Sequence, residues 1–284
     1  MALILDGKKV AAAEKGNLIA KVAELKEKGQ ICGLAIVMVG DNPASRIYMN
    51  RLDKLAKSIG MASNMYHLPK ETSQDELLAL LARLNADPSV HGIIPMMPMP
   101  AHINPDVVGE AVSAQKDVDA IHPYNVGLFA SGKSAWAAST PRAVMAILDY
   151  YNIELAGRHA VVIGRSNVVG KPMTHLLLGR NATVTVCHSK TVNMASILRQ
   201  ADVIVAAVGV PRMVKADMVK PGAVVVDVGI NEIEDEIVGD VDYGEVEKVA
   251  GAITPVPGGV GSVSTIMVMQ AVLRDFEVLH ISEP

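Results

Sequence analysis

The chain has only two cysteines in 284 residues, Cys32 and Cys187, far apart and each in or beside an apolar run. So placed, they exclude a disulfide framework and read as buried free thiols, suited to a reducing compartment. No Cys/His spacing of the kind that holds zinc occurs, so no metal is expected. Strong charge of either sign is also missing. A net charge of −4 offers no basic face to a nucleic acid. No apolar run reaches bilayer length. The opening MALILDGKKV lacks the long apolar stretch and small-residue cleavage site of a secretory leader. The expectation is a cytoplasmic protein with neither a membrane nor a nucleic-acid partner. Aromatic residues are scarce as well, at 3%, whereas methionines number 15. Methionine usually fills gaps in cores. Met96, Met97 and Met99, however, sit among prolines in one loop, where core packing is not the natural reading.

What is present is an alternation of helix and strand. Residues 8–28 carry apolar positions at helical spacing and end at Gly29. Residues 32–40 read as a buried strand, 43–59 as a helix with Pro43 in its first turn, and 61–68 as a second strand. Thr72 or Ser73 can cap a helix to about Asn85, with Asp75 and Glu76 favourable in its first turn. A third strand, 91–95, runs into the proline-locked loop PMMPMPAHINP. Asp106–Ala114 reads as helix, QKDVDAIHPYNVG as a polar loop, and Thr140–Tyr150 as helix. Strands are then expected at 159–163, 182–187, 203–207, 223–228 and from about Ala252, with a last helix capped by Ser262 or Ser264 and running to about Val278. Such alternation implies an α/β fold whose parallel sheets are covered on both faces, with ligands beyond the carboxyl ends of the strands.

The stretch VVIGRSNVVGKP, residues 161–172, is the most informative. An apolar strand ends at Gly164, a short loop follows, and Gly170 opens a helix. Free N–H groups and the helix dipole favour a pyrophosphate at such a place. The spacing is G-x-S-x-x-x-G rather than G-x-G-x-x-G, so on the glycines alone an ordinary strand-to-helix turn stays open.

The motifs ASRIY, PMPAHI, KDVDAIHPYNVG, STPR, GRSNVVGKP, VVVDVGIN, VGDVD and TPVPGGVG occur in this order. Together they resemble the bacterial bifunctional methylenetetrahydrofolate dehydrogenase/methenyltetrahydrofolate cyclohydrolase family over nearly the whole chain. The resemblance implies an N-terminal α/β catalytic domain, 1–139, completed by a C-terminal helix, 264–284. It implies a Rossmann-like doubly wound parallel sheet at 140–263, and a homodimer. The implied chemistry is oxidation of 5,10-methylenetetrahydrofolate with NADP, then hydration of the methenyl product to 10-formyltetrahydrofolate in one-carbon metabolism. It places Tyr48 against the folate, Asp119 on the pterin, and Met97, Pro98, Gly258 and Gly259 along the substrate. Gly164, Arg165, Ser166 and Gly170 then surround the pyrophosphate and adenosine end, and the Ile230 backbone contacts the nicotinamide. His102 and His122 read as loop-structuring residues. After the second strand of this domain no acid awaits a ribose 2′-OH; Ser189 and Lys190 instead suit a 2′-phosphate, which favours NADP over NAD.

Two positions depart from the family pattern. The motif Y-x-x-x-K reads Tyr48-Met49-Asn50-Arg51-Leu52 here, with leucine at the lysine position. Met96 stands where the family has the glutamine that supports that lysine. Joint loss is coherent, because either polar group alone would be stranded in an apolar site. On a helix Leu52 lies about 40° from Tyr48, Arg51 about 60° the other way and Lys54 about 120° off. Arg51 is the nearest cation, but a guanidinium stays protonated and cannot act as a base. Ser139, Ala143 and Ser262-Val263-Ser264 are lesser departures along the folate side. The expectation is a dehydrogenase with weak or lost cyclohydrolase activity. Two alternatives stay open: a fully bifunctional enzyme served by Arg51, Lys54 or water, and a cofactor-binding paralogue without catalysis.

Overall fold

The computed structural model describes residues 1–133, 136–234 and 236–281, the last two without their side chains. In chain order the elements are β1 (Leu3–Ile4), α1 (Gly7–Glu27), β2 (Gly33–Val39), α2 (Pro43–Ser58), β3 (Ala62–Leu68), α3 (Gln74–Ala86), β4 (Gly92–Pro95), α4 (Pro105–Ala111) and α5 (Pro123–Ala130). There follow α6 (Ser139–Tyr150), β5 (His159–Ile163), α7 (Gly170–Gly179), β6 (Thr183–Cys187), α8 (Met194–Leu198), β7 (Val203–Ala206), β8 (Val224–Asp227), the strands β9 (Asn231–Ile233) and β10 (Glu236–Val238), α9 (Tyr243–Val246), β11 (Ala252–Ile253) and α10 (Val260–Ile281). The chain divides into two compact units, Glu14–Ser139 with Thr265–Pro284, and Met1–Ala13 with Thr140–Ser264. Among the described residues no helix is long and apolar enough to cross a membrane.

The first unit is built on a parallel sheet of order β3-β2-β4. β2 is buried along its whole length, which is why it reads as an unbroken apolar run. Its residues Ala35, Val37 and Val39 belong to one core cluster with Leu77, Leu80, Leu81 and Leu84 of α3. Each fully buried leucine there contributes roughly 1.5–3 kcal/mol. The α3 start is fixed by a reciprocal capping box: the Ser73 hydroxyl accepts from the Glu76 N–H, and the Glu76 carboxylate accepts from the Ser73 N–H.

The segment expected as a polar loop contains a helix. Asp117 accepts from the N–H groups of Ile121 and His122 and from the Asn125 amide. His122 Nδ1 then accepts the Tyr124 N–H as N-cap, and Pro123 opens α5 at its first position. His102 contacts the Thr72 carbonyl at 2.9 Å, so both histidines structure loops as expected.

The second unit is a six-stranded parallel sheet of order β1-β11-β8-β7-β5-β6. The chain runs from β5 to β6 on one side and then to β7 on the other. This reversal opens a crevice at the carboxyl ends of β5 and β7. Three elements differ from the sequence expectation. The first thirteen residues group with this unit rather than with the N-terminal domain, because β1 pairs in parallel with β11 and the Leu5 N–H donates to the Ile253 carbonyl. An antiparallel pair, β9 and β10, follows β8. α10 begins at Val260, directly after Gly259, so neither Ser262 nor Ser264 caps it; the Ser262 N–H instead turns back to the Gly259 carbonyl.

Candidate functional site

The second unit carries its candidate residues on loops after strands. Gly164, φ +123°, follows β5, and a Cβ there would overlap the Ala207 carbonyl after β7. A Cβ on Gly170 would overlap the Gly164 carbonyl. Glycine is therefore required at both positions, and the loop presses against the opening of α7 as a pyrophosphate cradle needs. Arg165 and Ser166 are exposed on its rim. The Ser166 hydroxyl accepts from the N–H groups of Val169 at 3.1 Å and Gly170 at 3.4 Å, holding these amides at the helix start. After β6, Ser189 and Lys190 are exposed, and the turn is closed by the His188 N–H donating to the Thr191 hydroxyl. No carboxylate lies between Cys187 and Asn193. The residues present fit a dinucleotide with a phosphorylated ribose: a glycine cradle at the switch point and hydroxyl and ammonium donors where an acid would oppose a phosphate.

Ile230 is 67% exposed although apolar, and stands on the loop between β8 and β9. The TPVPGGVG segment leaves β11 and turns through Gly258, φ +109°, before α10. A Cβ on Gly259 would overlap the Pro255 carbonyl, and one on Gly7 would meet Gly259. The peptide bonds before Pro98 and Pro257 are cis.

Sequence reasoning overlooked two buried carboxylates beside Ile230. Asp227 accepts from the N–H groups of Gly229, Asp240 and Val241, each at 2.9 Å. Asp240 accepts from Val208 and Gly209 and from the Asn231 amide. Burial pushes Asp227 up to about 6 against the three amides that favour its charge, and the neighbouring Asp240 carboxylate raises it further. The available signal was an aspartate closing an apolar strand in VVVDVG.

The first unit carries the other candidates on α2 and the loops after β4 and α4. Tyr48 is half-buried, while Leu52, one turn later, is fully buried. Arg51 and Lys54 are both exposed on the same helix. Met96 is buried, and its N–H donates to the Val37 carbonyl of β2. Met97 and Pro98 are exposed, with the Met97 carbonyl accepting from the buried Ser45 hydroxyl at 2.8 Å. Met99 packs against the β2/α3 core. Asp117 supplies the turn-forming carboxylate of this region. Asp119 is half-buried and accepts from the Ser139 hydroxyl at 2.7 Å. The two positions thus have different tasks, which their shared polar context in sequence conceals.

The family model described as tetrahydrofolate dehydrogenase/cyclohydrolase, catalytic domain, matches residues 5–119. The model of the NAD(P)-binding domain of that family matches residues 138–280. The chain is 47% identical over 275 residues to the bifunctional protein FolD of Geotalea uraniireducens, covering 96% of this chain and 98% of that protein. It is similar to the crystal structure of the bifunctional FolD enzyme of Campylobacter jejuni, with TM-score 0.96, 45% identity and coverage of 98% and 100%. It is also similar to the Trypanosoma brucei dehydrogenase-cyclohydrolase solved with NADP and an inhibitor, with TM-score 0.95, 34% identity and 98% coverage of each chain. From the matched domains, the relatives and the two-unit parallel α/β fold, the chain belongs to the tetrahydrofolate dehydrogenase/cyclohydrolase family.

Proposed function

We propose that this protein oxidises 5,10-methylenetetrahydrofolate with NADP in one-carbon metabolism, and that its cyclohydrolase activity is weak or lost. Bound NADP supplies the hydride acceptor. The oxidation moves a hydride from the methylene carbon and leaves a methenyl cation, so it asks the protein for positioning more than for proton transfer. Tyr48 offers an aromatic face to the folate. Asp119, oriented by Ser139, offers its carboxylate to the pterin. Met97 and Pro98 line the substrate, and Leu52 and Met96 back it with apolar surface. Gly164, Arg165, Ser166 and Gly170 hold the pyrophosphate, Ser189 and Lys190 the 2′-phosphate, and the Ile230 backbone the nicotinamide. The resemblance also supports a homodimer.

The observation that carries the second half of this reading is the pair Leu52 and Met96. Both are buried, and neither can accept, donate or relay a proton. Hydration of the methenyl cation adds water and releases a proton, so it needs a group that manages that proton. Losing a positioned acid–base group costs about 10²–10⁴ in rate. The test is direct. Given the methenyl compound alone, the enzyme should hydrolyse it no faster than buffer does, while NADP-linked oxidation of the methylene compound proceeds. Hydrolysis at a rate comparable to the oxidation would overturn the reading.

The bifunctional names of the relatives favour a second reading, in which exposed Arg51 or Lys54 serves the hydration. Arg51→Ala or Lys54→Ala would then abolish hydration and spare the oxidation. Hydration insensitive to both substitutions excludes those side chains.

A further inference from the structure

The motifs VVVDVGIN and VGDVD contain two buried aspartates to which the reading above gives no task, and they fall at one place. Asp227 ends β8, is 3% exposed and binds the backbone of Gly229 ahead of it and of Asp240 and Val241 after β10. Asp240 is fully buried. Its Oδ2 accepts from Val208 at 2.6 Å and Gly209 at 3.0 Å, in the loop after β7; its Oδ1 accepts from Asn231 Nδ2 at 3.0 Å. The Thr254 hydroxyl accepts the Asp227 N–H at 2.7 Å and so ties in the end of β11. The two carboxylates thus gather the loops after β7, β8 and β10, and the backbone N–H of Asp227 adds the end of β11. The packing leaves no slack: a Cβ on Gly229 would overlap the Asp240 carboxylate, and one on Gly239 would overlap that of Asp227.

Such an arrangement is costly. Two carboxylates are buried side by side, and they are compensated by backbone amides and the Asn231 amide rather than by a cation. A hairpin could be anchored with neutral groups at less cost. What the carboxylates secure is the stretch between them. Gly229 and Asn231 are each held by one of them, and Ile230, clamped between, keeps an exposed apolar side chain. On the far side Asp240 fixes Val208 and Gly209 at the carboxyl end of β7, beside the crevice where the strand order reverses.

We infer that Asp240 is a positioning residue for the nicotinamide half of the cofactor: through paired hydrogen bonds to Val208, Gly209 and Asn231 it fixes the two loops that receive that half. The inference rests on the reading that a dinucleotide occupies these strand ends. It sets a division of labour within the site. The adenosine half depends on the Gly164 cradle and the loop after β6, neither of which Asp240 touches.

That division supplies the test. Binding of NADP and of 2′,5′-ADP, which carries the adenosine half only, is measured by calorimetry on the purified protein alongside its thermal midpoint. In Asp240→Asn the oxygen still serves Val208 and Gly209, but the bonds lose their charge assistance, and Asn231 either meets the new amide donor against donor or turns its oxygen towards the Val238 carbonyl. NADP should weaken roughly tenfold or more, the scale of a lost hydrogen bond to a charged group, while 2′,5′-ADP changes less than about twofold. Adding Asn231→Asp to that variant turns the pair round, since the new amide at 240 now donates to the new carboxylate at 231. NADP affinity should return most of the way. Asn231→Ala, which leaves Asp240 in place, should weaken NADP several-fold and spare 2′,5′-ADP; it decides the matter if Asp240→Asn does not fold. Unchanged NADP binding in the folded variants, or equal loss of both ligands, overturns the inference and leaves Asp240 a structural residue. A wild-type protein that binds neither ligand overturns the underlying reading of the dinucleotide site instead.

Discussion

The loops after the strands of the second unit and the α2 wall of the first handle polar groups in opposite ways. In the second unit, buried carboxylates, obligatory glycines and a hydroxyl turned onto two amides hold the loops after the strands. In the other unit the helix and loop expected to face substrate are backed by Leu52 and Met96, both buried, and the cations Arg51 and Lys54 lie out in solvent. The first pattern suits the binding and orientation of a charged ligand. Leu52 and Met96 can press on a ring, but their side chains cannot move a proton. On the function proposed above, hydride transfer needs only the first kind of site, whereas hydration needs an acid–base group that Leu52 and Met96 do not supply.

The sharpest way to break this contrast is to restore polarity to the apolar wall. Leu52→Lys combined with Met96→Gln should raise methenyl hydrolysis by roughly 10²–10⁴-fold, the worth of a positioned acid–base group. Leu52→Lys alone buries an amine without a partner, so it should cost stability and return less activity. A double variant with no gain would show that these two positions are not what the second step lacks.

The cradle can be broken from the other side. Gly164→Val adds a side chain at φ +123° against the Ala207 carbonyl. NADP binding should fall on the order of 10²-fold, with stability reduced as well, since strain at such a backbone costs about 1–3 kcal/mol before any clash. Retained affinity would move the pyrophosphate elsewhere.

The carboxylate pair predicts a pH signature. Asp227 sits at about 6, raised chiefly by burial above the ordinary 3.8. The folded state thus holds that proton more tightly than the unfolded chain. The associated stability is fully present below about pH 4 and is lost as pH rises through about 6. Denaturant unfolding of wild type and Asp227→Asn across this window should show the wild type losing up to about 3 kcal/mol relative to the variant, at about 1.4 kcal/mol per unit. Parallel curves would mean that Asp227 does not titrate there. The smallest effect is expected at Lys190→Ala, which should lower the preference for NADP over NAD about tenfold by removing one charge-assisted contact. An unchanged ratio would leave Ser189 and the backbone as the source of that preference.

How far the sequence disclosed this molecule depends on the kind of signal. β2 and β5 are legible because a strand buried on both faces must be continuously apolar, and α3 because its cap and periodicity agree. β1 escaped notice because two residues carry no periodicity, and only its partner β11 makes it a strand. α5 was hidden because its stabilisation comes from Asp117, His122 and Pro123, residues that elsewhere make turns. Gly164 and Gly170 could be located by spacing, yet the need for glycine comes from contacts with Ala207 and with each other's backbone. Asp227 and Asp240 resemble strand-end and turn aspartates in sequence. Their pairing exists only once β9 and β10 fold the chain back on itself.

One progress curve decides whether hydration survives with leucine at 52 and methionine at 96. Purified protein is given 5,10-methylenetetrahydrofolate and NADP, in a buffer where spontaneous methenyl hydrolysis is slow, and NADPH, methenyl and formyl products are followed separately. Methenyl product should accumulate in step with NADPH. Formyl product appearing without methenyl build-up would show that hydration proceeds past Leu52 and Met96, and would contradict the proposed loss of cyclohydrolase activity.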